Sequence, residues 1–147
     1  MKNSLVPLLL TALALASGCK KTDPKTPDVV TISGTLSGAS VLPKPVPSAG
    51  TGQVTGTFNK DTNELTYSIS YSGLSGPVTR GHFHVAVPPG DVGPYHAVSF
   101  DVQPNPITGK ATLPPADRDE LLKGNFYANL HTAAYDDGEV RADIEVK

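Results

Sequence analysis

The chain has 147 residues, enough for a single domain built around one hydrophobic core. Its formal net charge is −2 and its lysines and arginines are scattered, so no basic face is available to follow a phosphate backbone and nucleic acid is excluded as an expected partner. With 14 glycines, 14 prolines and no tryptophan, the composition favours many turns and an all-β fold.

The N-terminus has the layout of a secretory signal peptide over residues 1–18: Lys2, an apolar stretch from Leu5 to Ala16, and then small residues. The ending ALASGC resembles a bacterial lipobox, which predicts that Cys19 carries a lipid; an ordinary cleaved signal followed by a stray cysteine is the alternative. Residues 19–28 are polar, contain two prolines and predict an extended tether. We therefore expect an exported protein, anchored through lipid to the membrane of the bacterial cell envelope, preferably at the outer membrane or cell surface.

Alternating apolar and polar residues begin at Val29 and predict one domain over residues 29–147. The run VVTISGTLSGA reads as a first strand, and a turn at residues 59–63 joins the next two strands into a hairpin. The strand RGHFHVAV, the loop PPGDVGPY and the strands HAVSFDV and ITGKATL follow. PPADRDELLKG, with early proline, acidic residues and a closing Gly124, predicts one short helix. A last hairpin is expected to turn at residues 136–138. About eight short strands predict a Greek-key β-sandwich or barrel.

The segment TRGHFHVAV places two imidazoles on one face of a strand, because side chains at i and i+2 point the same way. His82 and His84 can therefore converge on one ion, while Phe83 points into the core. The two other histidines of the chain, His96 and His131, also lie at predicted strand positions. Imidazole nitrogens suit copper, zinc, nickel or iron, and the lack of sulfur ligands leaves copper or zinc. Isolated surface or capping histidines are the alternative for each of the four.

Three blocks carry a family resemblance: LSGASVLP, LTYSISYSGLSGPVTRGHFHVA and LLKGNFYANLHTAAYDDGEVRADI. In this order they resemble the CHRD domain, the module described in chordin, over about Val29 to Val146. The family pattern of His-x-His, then Asn-x-His-Thr, then Gly-Glu-x-Arg falls on these residues: His82, His84, Asn129, His131, Thr132, Gly138, Glu139 and Arg141. The sequence departs from the pattern at SVLPKP after LSGA and at Ala142, and neither departure involves a histidine.

The resemblance implies a fold similar to that of copper-zinc superoxide dismutase, and a copper-only superoxide dismutase that converts superoxide to oxygen and hydrogen peroxide. It implies one copper ion at His82, His84, His96 and His131, with zinc the less favoured metal. Arg141 or Arg80 is then expected to steer the anionic substrate, although Arg141 could instead pair with Glu139 or Asp143.

Asn129 and Thr132 lie close to His131 in the sequence, and we expect them to orient the imidazoles through hydrogen bonds without contacting the metal themselves. Two other functions stay open at this point. One is a non-catalytic copper carrier or buffer that uses the same histidines. The other is a cell-surface adhesion module that uses exposed aromatic residues such as Tyr71, Tyr95 and Tyr135. A purely structural role for the polar cluster is the third alternative.

Overall fold

Antiparallel β-strands make up most of the fold. The computed structural model describes residues 25–93, 95–101 and 105–147, and for Tyr95 and His96 it describes the backbone alone. The strands in this part of the chain are β1 (Val29–Ser37), β2 (Thr51–Asn59), β3 (Glu64–Ser72), β4 (Val78–Val85), β5 (Tyr95–Ser99), β6 (Ile107–Thr112), β7 (Phe126–Thr132), β8 (Tyr135–Asp143) and β9 (Glu145–Val146). The helix α1 (Pro115–Leu122) separates β6 from β7, and a 3-10 turn at Gly38–Ser40 follows β1. The predicted signal peptide and Cys19 lie outside the described residues.

The strands form one sheet in the order β5-β4-β7-β8-β1-β2-β3-β6, with β9 paired to β1. This sheet curls on itself, because Tyr67 on β3 packs edge-on against Phe83 on β4 with ring centroids 5.3 Å apart, although the two strands are not neighbours in the sheet. Phe83 also meets Phe100 and Phe126, at 5.2 Å and 6.4 Å between centroids. Each fully buried aromatic or aliphatic side chain of this core contributes about 1.5–3 kcal/mol to folding. The prediction of an all-β, barrel-like sandwich with one short helix is confirmed.

Local signals placed two elements correctly. The hairpin of β2 and β3 turns at residues 60–63, where the Asn59 side chain accepts the backbone N–H of Asp61 at 2.9 Å and Asn63 adopts a positive φ of 57°. The helix α1 begins with Pro115 after Pro114, and Gly124, with φ of 80°, follows its end.

The turn of the last hairpin was predicted at the wrong place. Residues 136–138 lie inside β8, and the chain reverses at residues 133–134 instead. Gly138 does adopt a positive φ of 118°, next to the point where the register between β7 and β8 shifts. The Asp-Asp-Gly sequence is thus used for an irregularity within the strand, where a glycine has the same conformational advantage as in a turn.

Four charged residues fasten the start of the described chain to the turn between β2 and β3; we call them the tether clamp. Lys25 contacts the Asp61 carboxylate, which also accepts the Asp28 backbone N–H at 3.0 Å. Lys60 pairs with the Asp28 carboxylate at 2.7 Å, and its N–H donates to the Asp28 carbonyl at 2.8 Å. Exposed ion pairs contribute less than about 1 kcal/mol each, so the clamp mainly fixes where the chain enters the domain.

Within the described residues, no helix has the length and apolar character needed to span a membrane.

Candidate metal centre

The outward face of β4, β7 and β8 carries the polar residues of the candidate site. Strand alternation places Phe83 of β4 in the core, together with Ala128 and Leu130 of β7. The residues between them therefore point the opposite way, and the strand register brings them together by pairing His82 with Asn129, His84 with Tyr127, and Asn129 with Arg141. We call this surface the metal face; it comprises His82, His84, Tyr127, Asn129, His131 and Arg141.

Three imidazoles form the centre of the metal face. One nitrogen from each of His82, His84 and His131 lies within 4.8 Å of the other two. The His82 ring is central, with centroid distances of 5.4 Å to His84 and 5.2 Å to His131. Metal–nitrogen bonds of about 2.0–2.1 Å place two ligand nitrogens at most about 4.2 Å apart, so small side-chain rotations close the group around one ion. Among the described residues, this is the one group of three or more histidine, cysteine or acidic side chains with ligand geometry.

Backbone carbonyls fix the tautomer of two of the imidazoles. His131 Nδ1 lies 2.7 Å from the Asp136 carbonyl oxygen, and His84 Nδ1 lies 3.1 Å from the Gly93 carbonyl oxygen. A carbonyl oxygen only accepts, so both Nδ1 atoms must carry a proton, and in the neutral form of each ring Nε2 presents the lone pair. The Nε2 atom of His131 is buried and has no hydrogen-bond partner among the described residues. Burial lowers the pKa of the His131 imidazole below its ordinary value, which favours the neutral, metal-binding form.

The fourth predicted ligand is placed by its backbone alone. His96 lies on β5, and its backbone is paired in register with that of His84 on the neighbouring strand β4. Its side chain lies outside the described part of the structure, so its role as a ligand stays a prediction.

Both predicted steering arginines are engaged in ion pairs. The Arg141 side chain is only 3% exposed, and its Nε and Nη2 donate to one Asp143 oxygen at 2.9 and 2.7 Å. Arg80 is 48% exposed and donates through Nη2 to the Asp136 carbonyl at 2.6 Å and to the Asp136 carboxylate at 2.9 Å. Of the two pairs expected for Arg141, the structure thus shows the one with Asp143. Arg80 is the more accessible cation.

A cleft of about 240 Å³ opens on the metal face. His84 and His131 line it, together with both arginines, and Val41 and Val92 contribute apolar walls. A small molecule or anion entering this cleft therefore meets two of the three imidazoles.

Asn129 and Thr132, the two residues expected to orient the imidazoles, lie in different surroundings from each other. Asn129 is buried beside His82 in the strand register, and its Oδ1 atom has no hydrogen-bond partner among the described residues. The Thr132 hydroxyl instead donates to the carboxylate of Glu139 at 2.6 Å. Glu139 is fully buried and also accepts hydrogen bonds from Ser48 and Ser75, so it joins two loops to β8.

The groups that hold the His84 and His131 rings in place were not predicted from the sequence. Gly93 and the Asp136 backbone carry no local signal for this role, because each acts through a main-chain carbonyl. Tyr127 is buried on the metal face, and its ring stacks on that of His84, with centroids 4.8 Å apart and planes 3° from parallel. Strand alternation with Asn129 and His131 could have placed it on this face, but not against His84.

Sequence comparison matches residues 32–144 to the CHRD domain. The chain belongs to the CHRD domain family. The match covers most of the chain and includes all three strands of the metal face, so the three-histidine group lies within the CHRD domain itself. No curated protein and no solved structure matches the chain.

Proposed function

We propose that this CHRD domain binds one copper ion on its metal face and acts as a copper-only superoxide dismutase. The observation that carries the proposal is the convergence of His82, His84 and His131, whose ligand nitrogens lie within 4.8 Å of one another. The fixed tautomers of His84 and His131 support it, because each leaves Nε2 available as an electron-pair donor. The backbone register beside His84 makes His96 the proposed fourth ligand.

Copper is the proposed metal because of the donor set. The described group consists of imidazoles alone, with no thiolate or carboxylate in it. Imidazoles bind both copper and zinc well, and at a comparable site copper is the tighter-bound of the two. Copper, when bound, supplies one-electron chemistry between its two oxidation states, which zinc cannot supply.

The reaction converts two superoxide anions and two protons to oxygen and hydrogen peroxide. The protein's part is to hold the ion, to keep one side of it open to the cleft, and to attract an anion to that cleft. Arg80 is the proposed steering residue because it is half-exposed and lines the cleft, whereas Arg141 is almost fully buried and paired with Asp143.

A non-catalytic copper carrier is the second candidate, and one observation favours it. Both arginines on the cleft are paired with carboxylates, which reduces the positive field that an anionic substrate would meet. A carrier needs the three imidazoles and an accessible ion, but no positive field.

Superoxide turnover by the purified chain over residues 20–147 separates these functions, measured with one equivalent of Cu(II), with zinc and without metal. The dismutase proposal requires turnover well above that of free copper, in the copper form only, with loss of activity in His84→Ala. Thr66→Ala, on the outward face of β3, is the matched control and should retain activity. Tight copper binding without turnover would establish the carrier, and no copper binding would refute both and favour the adhesion module.

Export and lipid anchoring complete the proposal. The signal-like segment and the lipobox-like ending at Cys19 support a lipid-anchored protein of the cell envelope. In cells given labelled palmitate, the full-length chain should acquire label and a Cys19→Ser variant should not. Label retained in Cys19→Ser would refute the anchor.

A further inference from the structure

We propose that Tyr127 is the positioning residue of the metal face: its hydroxyl and its ring together set the tautomer and the plane of His84, and its ring also holds Arg141. The inference rests on the proposed role of His84 as a metal ligand. The role proposed for Tyr127 is separate from the binding of copper by the histidines and from the attraction of the substrate by Arg80.

The hydroxyl of Tyr127 fastens Gly93. It donates to the Gly93 carbonyl oxygen at 3.2 Å and accepts the Gly93 N–H at 3.3 Å. The same carbonyl oxygen receives the His84 Nδ1 proton at 3.1 Å. Tyr127 therefore holds in place the carbonyl acceptor that keeps the proton on Nδ1 of His84, so that Nε2 is the nitrogen offered to the metal.

Gly93 can reach this position only because it has no side chain. A Cβ atom there would overlap the carbonyl oxygen of Val85, at the end of β4. Gly93 thus lies directly against the strand that carries His84, and both the Tyr127 hydroxyl and the His84 imidazole form hydrogen bonds to it there. Without that hydroxyl, Gly93 loses one hydrogen bond at its carbonyl oxygen and one at its N–H.

The ring of Tyr127 acts on both of its faces. His84 stacks on it at 4.8 Å with an interplanar angle of 3°. The Arg141 Cζ atom lies 3.7 Å from the Tyr127 ring centroid. Because β7 lies between β4 and β8 in the sheet, His84 and Arg141 approach the ring from opposite sides. One buried phenol ring thus sets the orientation of a proposed ligand and of a cation that lines the cleft.

Two substitutions separate the hydroxyl from the ring. Tyr127→Phe keeps the ring, and with it both stacking contacts, but removes the hydrogen bonds to Gly93. Tyr127→Leu removes the ring as well. Tyr71→Phe is the matched control, because Tyr71 packs against the core from β3, away from the metal face.

The first readout needs no metal: ¹⁵N NMR of the histidines in the apo protein, at a pH above the ordinary imidazole value of about 6.5. We expect His84 to be in the Nδ1–H tautomer in the wild type and in Tyr71→Phe, and to become a mixture of tautomers in Tyr127→Phe. The Gly93 amide should exchange faster in Tyr127→Phe. An Nε2–H tautomer in the wild type, or an unchanged tautomer and unchanged Gly93 exchange in Tyr127→Phe, would overturn the proposal. The wild-type spectrum tests it even if a variant fails to fold.

The second readout is Cu(II) affinity in competition with a chelator, together with the Cu(II) electron paramagnetic resonance spectrum. Loss of a group that orients a metal-bound histidine lowers affinity by about 10–100-fold, and we expect this range for Tyr127→Phe with an altered spectrum. Wild-type affinity and spectrum in Tyr127→Phe would contradict the proposed role. If the wild type itself binds no copper, the proposed function fails, while the tautomer measurement still decides the role of Tyr127.

Discussion

The buried carboxylate of Glu139 offers a sharp test of how two loops are joined to β8. Its side chain is fully buried and accepts four hydrogen bonds: from Ser48 Oγ at 2.6 Å, from the Ser75 N–H at 2.8 Å, from Ser75 Oγ at 2.6 Å and from Thr132 Oγ1 at 2.6 Å. Hydrogen bonds to a charged group contribute about 1.5–3 kcal/mol each, and burying the charge offsets several kcal/mol of that sum. Glu139→Ala should therefore lower the free energy of unfolding by about 3–5 kcal/mol.

The assay is chemical denaturation at neutral pH, followed by circular dichroism. Glu139→Gln keeps the shape and one acceptor oxygen, so we expect a smaller loss of about 1–3 kcal/mol. Glu64→Gln is the control: this carboxylate lies at the surface, paired with Lys110 at 2.8 Å, and its loss should change the unfolding free energy by less than about 1 kcal/mol. A loss below about 1 kcal/mol in Glu139→Ala would refute the argument, because it would mean that the four donors find other partners without cost.

The same group predicts how stability depends on pH. Burial alone would raise the pKa of the Glu139 carboxyl, but the hydrogen bonds from Ser48, Ser75 and Thr132 outweigh burial, and the pKa lies below its ordinary value. A lowered folded-state pKa gives stability that is present above the unfolded value of about 4.3 and is lost as the pH falls through the folded value. The stability difference between the wild type and Glu139→Gln should therefore narrow in acid. A difference that stays constant from neutral pH into acid would contradict this.

Three further predictions concern the metal face. Gly93→Ala should weaken copper binding by about 10-fold or more, because the added Cβ overlaps the Val85 carbonyl and displaces the acceptor of the ligand histidine; a chelator titration that gives wild-type affinity would count against it. Since burial lowers the pKa of His131, its imidazole in the metal-free protein should stay neutral as the pH falls below about 6.5 and take up a proton only at lower pH; an NMR titration of His131 with a midpoint at or above about 6.5 would argue otherwise. Arg141→Ala should destabilise the domain by about 1–3 kcal/mol and Arg80→Ala by less than about 0.5, since only the first is buried; equal melting temperatures would show that burial is not the cause.

The fold could be predicted largely because its signals are local. Alternation over two-residue periods located the strands, and the proline, acidic residues and glycine around α1 located the helix. The last hairpin was misplaced because a positive-φ glycine serves a turn and an irregular strand equally well, and only the pairing of β7 with β8 decides between them.

The candidate site could be predicted only in part, because several of its contacts join residues that are far apart in the sequence. His82 and His84 share a face by strand geometry alone, whereas the approach of His131 depends on the register between β4 and β7, which are separated by 40 residues of chain or more. The contact of Tyr127 with Gly93 spans 34 residues and runs through a main-chain oxygen, so no spacing in the sequence indicates it. The sequence could not reveal the groups that hold the imidazoles in place, which are the carbonyls of Gly93 and Asp136 and the ring of Tyr127.

The tether clamp and the cleft lie near opposite ends of β1. The clamp lies at the start of β1, whereas Val41 and Leu42, which line the cleft, follow the end of that strand. Eight residue steps along β1, at about 3.4 Å each, separate the two ends by about 27 Å. A lipid at Cys19, six residues before Lys25, would reach at most about 20 Å beyond the clamp. With a lipid at Cys19, the cleft would lie near the end of β1 that is farther from the anchored segment.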